Sequence, residues 1–335
     1  MSGNIFNSEF PFSRGRRIRK SQWIRDLTSE NELSVSDLVL PMFLKEDSDA
    51  NEEIAKMPGI KRFSLSQIVR EIEEIDKLGI KAIALFPKVS QSLKTNDAKE
   101  SFNPNNLVCR ALKVIRKEFP KLGVICDVAL DAYTLSGHDG LLDKNGCIEN
   151  DKTNETLSKM ALNFSDSGCE IIAPSDMMDG RIKIIRNSLE QNNHKEICII
   201  SYSAKFCSQF YGPFRAALGT EKNLNASSKE TYQLNYKNRL EAVKSVTQDI
   251  KEGSDIVMVK PAGYYLDIVR EIKDQINLPL AVFQVSGEFS MIKFAATNGI
   301  IDYKKCVLES LNCIKRSGAN FIFSYFAKDV AKWLS

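Results

Sequence analysis

A TIM (β/α)8 barrel of the α/β class, preceded by an N-terminal arm, is predicted for this chain of 335 residues. Eight short apolar runs alternate with helix-like stretches, and each run is apolar throughout instead of at every second position. Strands of that kind are typical of a parallel sheet buried on both faces. The chain is long enough to close eight of them into a barrel. An open, doubly wound sheet is the alternative, but no glycine-rich nucleotide-binding loop follows any run.

The first 37 residues do not follow this alternation. They contain Phe6, Phe10, Phe12 and a basic run over 14–20, with a short helix expected at 21–27. We therefore take 1–37 as an arm and 38–335 as the catalytic barrel domain. Aromatic side chains on a polar arm predict burial against a second subunit, so the arm is expected to mediate self-association into a homo-oligomer.

The barrel elements follow in order along the chain. The predicted strands span 38–43, 82–87, 123–128, 171–175, 198–205, 256–261, 280–285 and 321–326. The predicted helices span 66–78, 105–117, 154–167, 181–191, 238–252, 264–276, and 288–298 continuing into 303–316. Apolar residues at helical spacing, such as Leu240, Val243 and Val246, support these assignments.

Composition excludes several classes of function. The net charge of +3 is too small to predict a nucleic-acid partner. No apolar stretch approaches the roughly 18 residues that a membrane span needs, and the eight cysteines form no CxxC pair. Reduced thiols in a cytoplasmic protein are therefore expected.

The active site of this fold lies at the C-terminal ends of the strands. Polar residues follow six of the predicted strands, from the third to the eighth. They are Asp127 and Asp131, then Ser175, Lys205, Lys260, Ser286 and Tyr325. These side chains are expected to converge.

Lys205 and Lys260 each end an apolar strand-like run. A lysine among apolar groups, or beside another ammonium, has a lowered pKa and supplies the neutral amine that attacks a carbonyl. Lowering a lysine pKa from about 10.4 to about 7.5 takes roughly 4 kcal/mol, which a surface lysine does not experience. Either residue alone could instead be a snorkelling lysine, which buries its apolar stem and keeps its amine in solvent. Two lysines at the ends of two such strands favour Schiff-base chemistry.

Several longer motifs resemble one family. They are CDVALDAYT at 126–134, GHDG at 137–140, APSDMMDGR at 173–181, SYSAKF at 201–206, FYGPFR at 210–215, MVKP at 258–261 and QVSGEF at 284–289. From about Arg16 to the C-terminus the chain resembles the delta-aminolevulinic acid dehydratase, or porphobilinogen synthase, family. The resemblance implies a barrel with an N-terminal arm. It also implies a hydro-lyase that condenses two molecules of 5-aminolevulinate to porphobilinogen, with loss of two waters, in tetrapyrrole and haem synthesis.

The same resemblance assigns roles to residues. Lys260 would form the Schiff base with the first substrate, in the P site, and Lys205 with the second, in the A site. Arg215 and Lys229 would hold the A-site carboxylate, although Lys229 occupies a position that is usually arginine.

Other pocket residues follow from the resemblance. Ser286 and Tyr325 would hydrogen-bond the P-site carboxylate, and Asp127, Ser175 and Gln233 would line the pocket. Arg215 as a solvated charge and Ser286 as a turn residue are the alternatives. The implied assembly is a homo-octamer or another homo-oligomer.

The metal site departs from the family pattern. Zinc-dependent members carry three cysteines where this chain has Ala129, Asp131 and Asp139. Thiolates suit zinc, whereas carboxylates suit magnesium or an amine. No active-site zinc is expected; magnesium is possible but not required. The two carboxylates would instead orient the A-site amino group. Ser245 replaces the glutamate that holds an allosteric magnesium in many bacterial relatives.

Two other functions were considered. A class I aldolase would explain only one of the lysines, and a catalytically inactive barrel used as a scaffold would explain none of the polar residues. A colorimetric pyrrole assay with 5-aminolevulinate separates the three functions, because only the dehydratase forms a pyrrole.

Overall fold

Eight parallel strands close into a barrel in this computed structural model, which describes residues 9–46, 52–220 and 228–334. The strands are β1 (Leu38–Lys45), β4 (Ala82–Lys88), β5 (Gly123–Val128), β6 (Ile171–Pro174), β7 (Cys198–Lys205), β8 (Ile256–Lys260), β9 (Leu280–Gln284) and β10 (Phe321–Ser324). Each pairs in parallel with its neighbour, and β10 pairs with β1 to close the ring. A hairpin of β2 (Glu52–Glu53) and β3 (Lys61–Phe63) extends the edge of β1. The predicted TIM barrel is confirmed.

Helices surround the barrel. They are α1 (Gln22–Leu27), α2 (Leu65–Lys77), α3 (Leu107–Glu118), α4 (Asn150–Asp166), α5 (Arg181–Gln191), α6 (Gly212–Leu218), α7 (Arg239–Lys251), α8 (Leu266–Gln275), α9 (Ser286–Thr297), α10 (Tyr303–Arg316) and α11 (Ala327–Leu334). None of the helices in the described ranges is long and apolar enough to cross a membrane.

Some elements differ from those that the sequence predicts. The stretch expected to continue through 288–316 forms two helices, α9 and α10, with Gly299 between them at a φ of 70°. A left-handed residue there ends the first helix, because such a conformation cannot continue a right-handed one. The hairpin and the helices α6 and α11 were not predicted.

The arm contributes little to the core. Residues 9–32 are exposed, apart from the half-buried Ser21 and Ile24. The large apolar side chains of the arm are exposed as well: Phe10 is 74% exposed and Trp23 is 65% exposed. The first barrel strand begins at Leu38, next to the predicted boundary. Phe6 lies outside the described residues, and the arm's part in assembly stays a prediction.

The strand interiors form one apolar core. All eight residues of β1 are buried, as are all five of β9, as expected for strands covered on one side by helices and on the other by the barrel interior. Because parallel strands all point the same way, their C-terminal ends meet at one rim. In the register of β7 and β8, Lys205 lies directly opposite Lys260.

Candidate active site

Lys260 ends β8 inside a cage of aromatic rings. Its Nζ lies 4.2 Å from the centre of the Phe283 ring, 4.9 Å from Tyr202 and 5.2 Å from Phe214, and the residue is only 5% exposed. Burial lowers the pKa of Lys260 to about 7, and the neighbouring charge of Lys205 adds to the effect. The lowered pKa that the sequence predicts for this residue is thus found, with burial as its larger cause.

Lys205 lies at the end of β7, directly beside Lys260. Its Nζ donates hydrogen bonds to the carbonyl of Ser175 and, at 3.2 Å, to Oδ1 of Asp139. Ser175 follows β6, so side chains and backbone from three successive barrel strands meet at this point. The sequence predicted this convergence from the strand ends.

Asp139 is the centre of an ionic cluster. Its Oδ2 accepts hydrogen bonds from Lys229 Nζ at 2.6 Å and from the Tyr232 hydroxyl at 2.9 Å. Burial alone would raise the pKa of Asp139, but the charges of Lys205 and Lys229 outweigh it and hold the pKa well below its usual range. Asp139 is therefore a carboxylate at neutral pH.

Lys229 bridges the two carboxylates that the sequence places in the A site. Its Nζ lies 3.7 Å from Asp131 Oδ2 and closer to Asp139. Burial would lower the pKa of Lys229, but the two carboxylates raise it above the ordinary value. In this structure Lys229 binds two carboxylates of the protein itself. A contact between Lys229 and a substrate carboxylate stays a prediction.

Two buried groups in the site have no hydrogen-bond partner among the described residues. They are Oδ1 of Asp127 and both amide atoms of Gln233. Leaving a buried polar atom unpaired costs about 1–3 kcal/mol. Burial raises the pKa of Asp127 to about 7, although the charge of Lys260 opposes it. Groups of this kind, facing a cavity, are those that a polar ligand would satisfy.

Arg215 lies on α6 and lines the cavity, and its side chain makes no hydrogen bond or ion pair with other described residues. Ser286 fixes the start of α6, because its hydroxyl accepts a hydrogen bond from the Phe214 backbone at 3.0 Å and donates to the Phe210 carbonyl at 3.3 Å. A Cβ on the adjacent Gly287 would lie 2.5 Å from that carbonyl oxygen, so only glycine permits the contact.

Tyr325 packs among aromatic rings. It is 4% exposed and stacks on Phe43 at 5.9 Å. Neither Tyr325 nor Ser286 lines the central cavity in this state. Their predicted contact with the P-site carboxylate stays a prediction.

The cavity is closed around these groups. Its volume is about 30 Å³, which is room for roughly one water molecule. It is lined by Asp127, Asp131, Asp139, Ser175, Lys205, Tyr211, Phe214, Arg215, Lys229, Gln233 and Lys260. Any substrate must therefore displace part of the wall. Between Arg215 and Gln233 the chain includes 221–227, which lie outside the described residues.

The donor set does not fit zinc. Asp131 and Asp139 supply two carboxylates, and the ammonium of Lys229 bridges them. Ala129 offers no ligand atom, and no group of three His, Cys, Asp or Glu side chains in the described ranges converges as a metal site. A cation at this point would have to replace an ammonium that is already paired. The expected absence of zinc stays a prediction.

Several site residues were not predicted from the sequence. Tyr232 contacts Asp139 and, at 3.0 Å, His138 Nδ1, which gives the imidazole a structural partner. Tyr211 and Phe214 line the cavity. The aromatic content of the FYGPFR motif was the available signal for this pair.

Glu288 belongs to the QVSGEF motif, but no role for it was predicted from the sequence. It is buried, and its carboxylate accepts hydrogen bonds from the backbone amides of Gly263 and, at 2.7 Å, Val285. Burial raises the pKa of Glu288 to about 7, against the opposing effect of these bonds. The side chain thereby holds the turn that follows Lys260.

Known proteins resemble this chain over nearly its whole length. The family model described as delta-aminolevulinic acid dehydratase matches residues 12–333. A delta-aminolevulinic acid dehydratase of Bradyrhizobium diazoefficiens is 49% identical over 96% of this chain and 90% of its own length. One from Escherichia coli is 43% identical over 95% and 97%.

A solved structure agrees with these sequence relatives. The delta-aminolevulinic acid dehydratase of Toxoplasma gondii, determined in complex with the reaction product porphobilinogen, superposes with a TM-score of 0.94. It is 41% identical and the match covers 96% of this chain and 91% of that one. The family model, these relatives and the solved structure each match nearly the whole chain, and the chain belongs to the delta-aminolevulinic acid dehydratase family.

Proposed function

We propose that this site condenses two molecules of 5-aminolevulinate to porphobilinogen through Schiff bases on Lys260 and Lys205. The observation that carries the proposal is the pair itself. Two buried lysines lie opposite each other on neighbouring strands, and one has a pKa of about 7. An aldolase mechanism needs only one of them.

Lys260 captures the first substrate. At neutral pH about half of its amine is unprotonated, because its pKa is about 7. The amine attacks the ketone carbon, and loss of the carbonyl oxygen as water leaves the Schiff base. Asp127, beside Lys260 and itself with a pKa of about 7, can hold or release the proton that this step moves.

Lys205 captures the second substrate. Asp139 and the Ser175 carbonyl orient its amine, and Asp139 is too weak a base to remove a proton itself because its pKa lies well below the usual range. The carboxylates of Asp139 and Asp131 can instead receive the substrate ammonium after Lys229 moves aside. Arg215 then offers a planar fork to the substrate carboxylate.

The experiment is a pyrrole assay on the wild type and on the single variants Lys260→Ala and Lys205→Ala, combined with borohydride trapping. Both variants should lose nearly all product. Trapping of 5-aminolevulinate should survive in Lys205→Ala and disappear in Lys260→Ala, because the first capture does not need the A-site amine. Equal loss of trapping in both variants would contradict this division of roles, and full turnover in Lys260→Ala would contradict the function.

The finer assignments belong to the same proposal. Loss of two waters places the enzyme among the hydro-lyases. The exposed apolar side chains of the arm support self-association into a homo-octamer or another homo-oligomer. The composition and cysteine pattern support a cytoplasmic location.

A further inference from the structure

A second cavity lies beside the active site and shares none of its lining residues. Its volume is about 290 Å³, at the lower end of the range for small-molecule sites. The basic side chains in its wall are Lys45, Lys88 and Lys94, and the acidic ones are Glu46 and Glu52.

Lys94 is the unusual member of this wall. It is 5% exposed, and its Nζ has no hydrogen-bond partner among the described residues. Burial lowers the pKa of Lys94 more than the nearby charge of Asp131 raises it. A buried ammonium without a partner is costly, and an anion in the cavity would supply the missing acceptor.

The two acidic side chains do not provide that acceptor. Glu52 is bound by Arg62 at 2.7 Å and by Lys88 at 2.9 Å. Glu46 is bound by Arg110 at 2.7 Å. Both carboxylates of the described wall are therefore already paired with cations, and neither is a partner of Lys94.

We propose that this cavity binds a small oxyanion, a phosphate or a carboxylate, with Lys94 as its principal ligand. Lysine ammonium groups form charge-assisted hydrogen bonds with such anions. The unpartnered ammonium of Lys94 and the volume of the cavity both suit an anion of a few heavy atoms. Neither zinc nor magnesium suits a site lined by ammonium groups.

The position of the cavity links its occupant to catalysis. Lys94 is followed by Thr95, whose backbone amide donates to the Tyr133 carbonyl at 3.1 Å, within the loop that carries Asp131. The opposite wall contains Leu218 and Gly219, at the end of the helix that carries Arg215. An anion bound here would act as an effector through these two segments, because each is continuous in the chain with one that carries an active-site residue.

Calorimetric titration of the full chain with inorganic phosphate tests the proposal, and succinate in a parallel titration tests the carboxylate class. Binding should be saturable in the wild type and in Lys81→Met, a control at the opposite end of β4. It should weaken roughly ten- to a hundredfold in Lys94→Met, as expected for loss of a charged hydrogen bond. If Lys94→Met does not fold, Lys88→Met provides the same test, because Lys88 is a second, half-buried ammonium in the wall of the cavity.

Three results would overturn the proposal. One is unchanged affinity in both lysine variants. Another is loss of binding in Arg215→Met but not in Lys94→Met, which would place the anion in the active site. The third is a loss of affinity in the control Lys81→Met equal to that in Lys94→Met, which would show that the weakening does not depend on the cavity.

Turnover measurements test the effector role separately. Phosphate should change the turnover of the wild type with the half-saturation seen by calorimetry, and should not change that of Lys94→Met relative to its own baseline. Binding without a change in turnover would leave the site in place and refute its action on catalysis.

Discussion

The replacement Lys205→Met should move the pH dependence of Schiff-base formation at Lys260. In the wild type, burial and the charge of Lys205 together lower the Lys260 pKa from 10.5 to about 7. The neutral fraction at pH 7 thereby rises from ~0.03% to about one half. That change corresponds to a free energy on the order of 5 kcal/mol.

The contribution of Lys205 can be estimated from the strand geometry. The two lysines are register partners on neighbouring strands, and such strands lie about 4.8 Å apart. Two unit charges at about 5 Å repel by roughly 3 kcal/mol at an effective dielectric constant of about 20. Removing the Lys205 charge should therefore raise the Lys260 pKa by about two pH units. The negative charge of Asp139 already raises the Lys260 pKa. Without Lys205 to neutralise it, that charge would raise the Lys260 pKa further.

The assay is borohydride trapping of 5-aminolevulinate, followed by mass spectrometry of the peptide that contains Lys260. Initial trapping rates are measured between about pH 6 and pH 10 for the wild type, Lys205→Met and the surface control Lys81→Met. The wild type and the control should share a midpoint near 7, and Lys205→Met should reach its midpoint at higher pH. An unchanged or more acidic midpoint in Lys205→Met would refute the electrostatic coupling.

The remaining predictions concern the supports of the site, its metal content and its assembly. Glu288→Ala should destabilise the fold by about 3 kcal/mol in urea unfolding and slow trapping, because it leaves buried amides unpaired; full stability would contradict that role. Gly287→Ala should lower the free energy of unfolding by about 1–3 kcal/mol and remove most of the activity, because its Cβ would overlap the Phe210 backbone. The control Gly212→Ala has open space around its Cβ, so its free energy of unfolding should stay within about 0.5 kcal/mol of the wild-type value. Purified enzyme should contain no stoichiometric zinc by elemental analysis, and 1,10-phenanthroline should not inhibit it; chelator inhibition reversed by zinc would show an unrecognised thiolate site. Deleting 1–36 should lower the mass seen by light scattering while circular dichroism keeps the barrel signal, and an unchanged mass would refute the arm's role.

The architecture could be predicted from the sequence because the signals for it are local. The predicted bounds of two strands, 123–128 and 198–205, match β5 and β7, since β-branched runs flanked by polar residues mark a buried strand wherever it lies. The hairpin gave no such signal because β2 and β3 are only two and three residues long and mostly charged, and the helix α6 gave none because it is only seven residues long.

Part of the list of residues at the rim was also available from the sequence. Strand ends in a barrel share one rim, so Lys205 and Lys260 could be placed there before any coordinates existed. Gln233 and Asp127 came from the family resemblance, and the structure adds that their polar atoms lie unpaired and buried. Residue type and position along the chain were sufficient for these assignments.

Tertiary structure alone decided the electrostatic state of the site. A pKa depends on burial and on charges a few ångströms away, and those charges come from residues distant in the chain. Lys229 bridges Asp131 and Asp139 across some ninety positions, and no local pattern predicts that pairing. The same holds for the unpartnered Lys94 and the hydrogen bonds of Glu288. The sequence determined which groups reach the rim, whereas three-dimensional packing determined which are charged, which are paired and which remain available to a ligand.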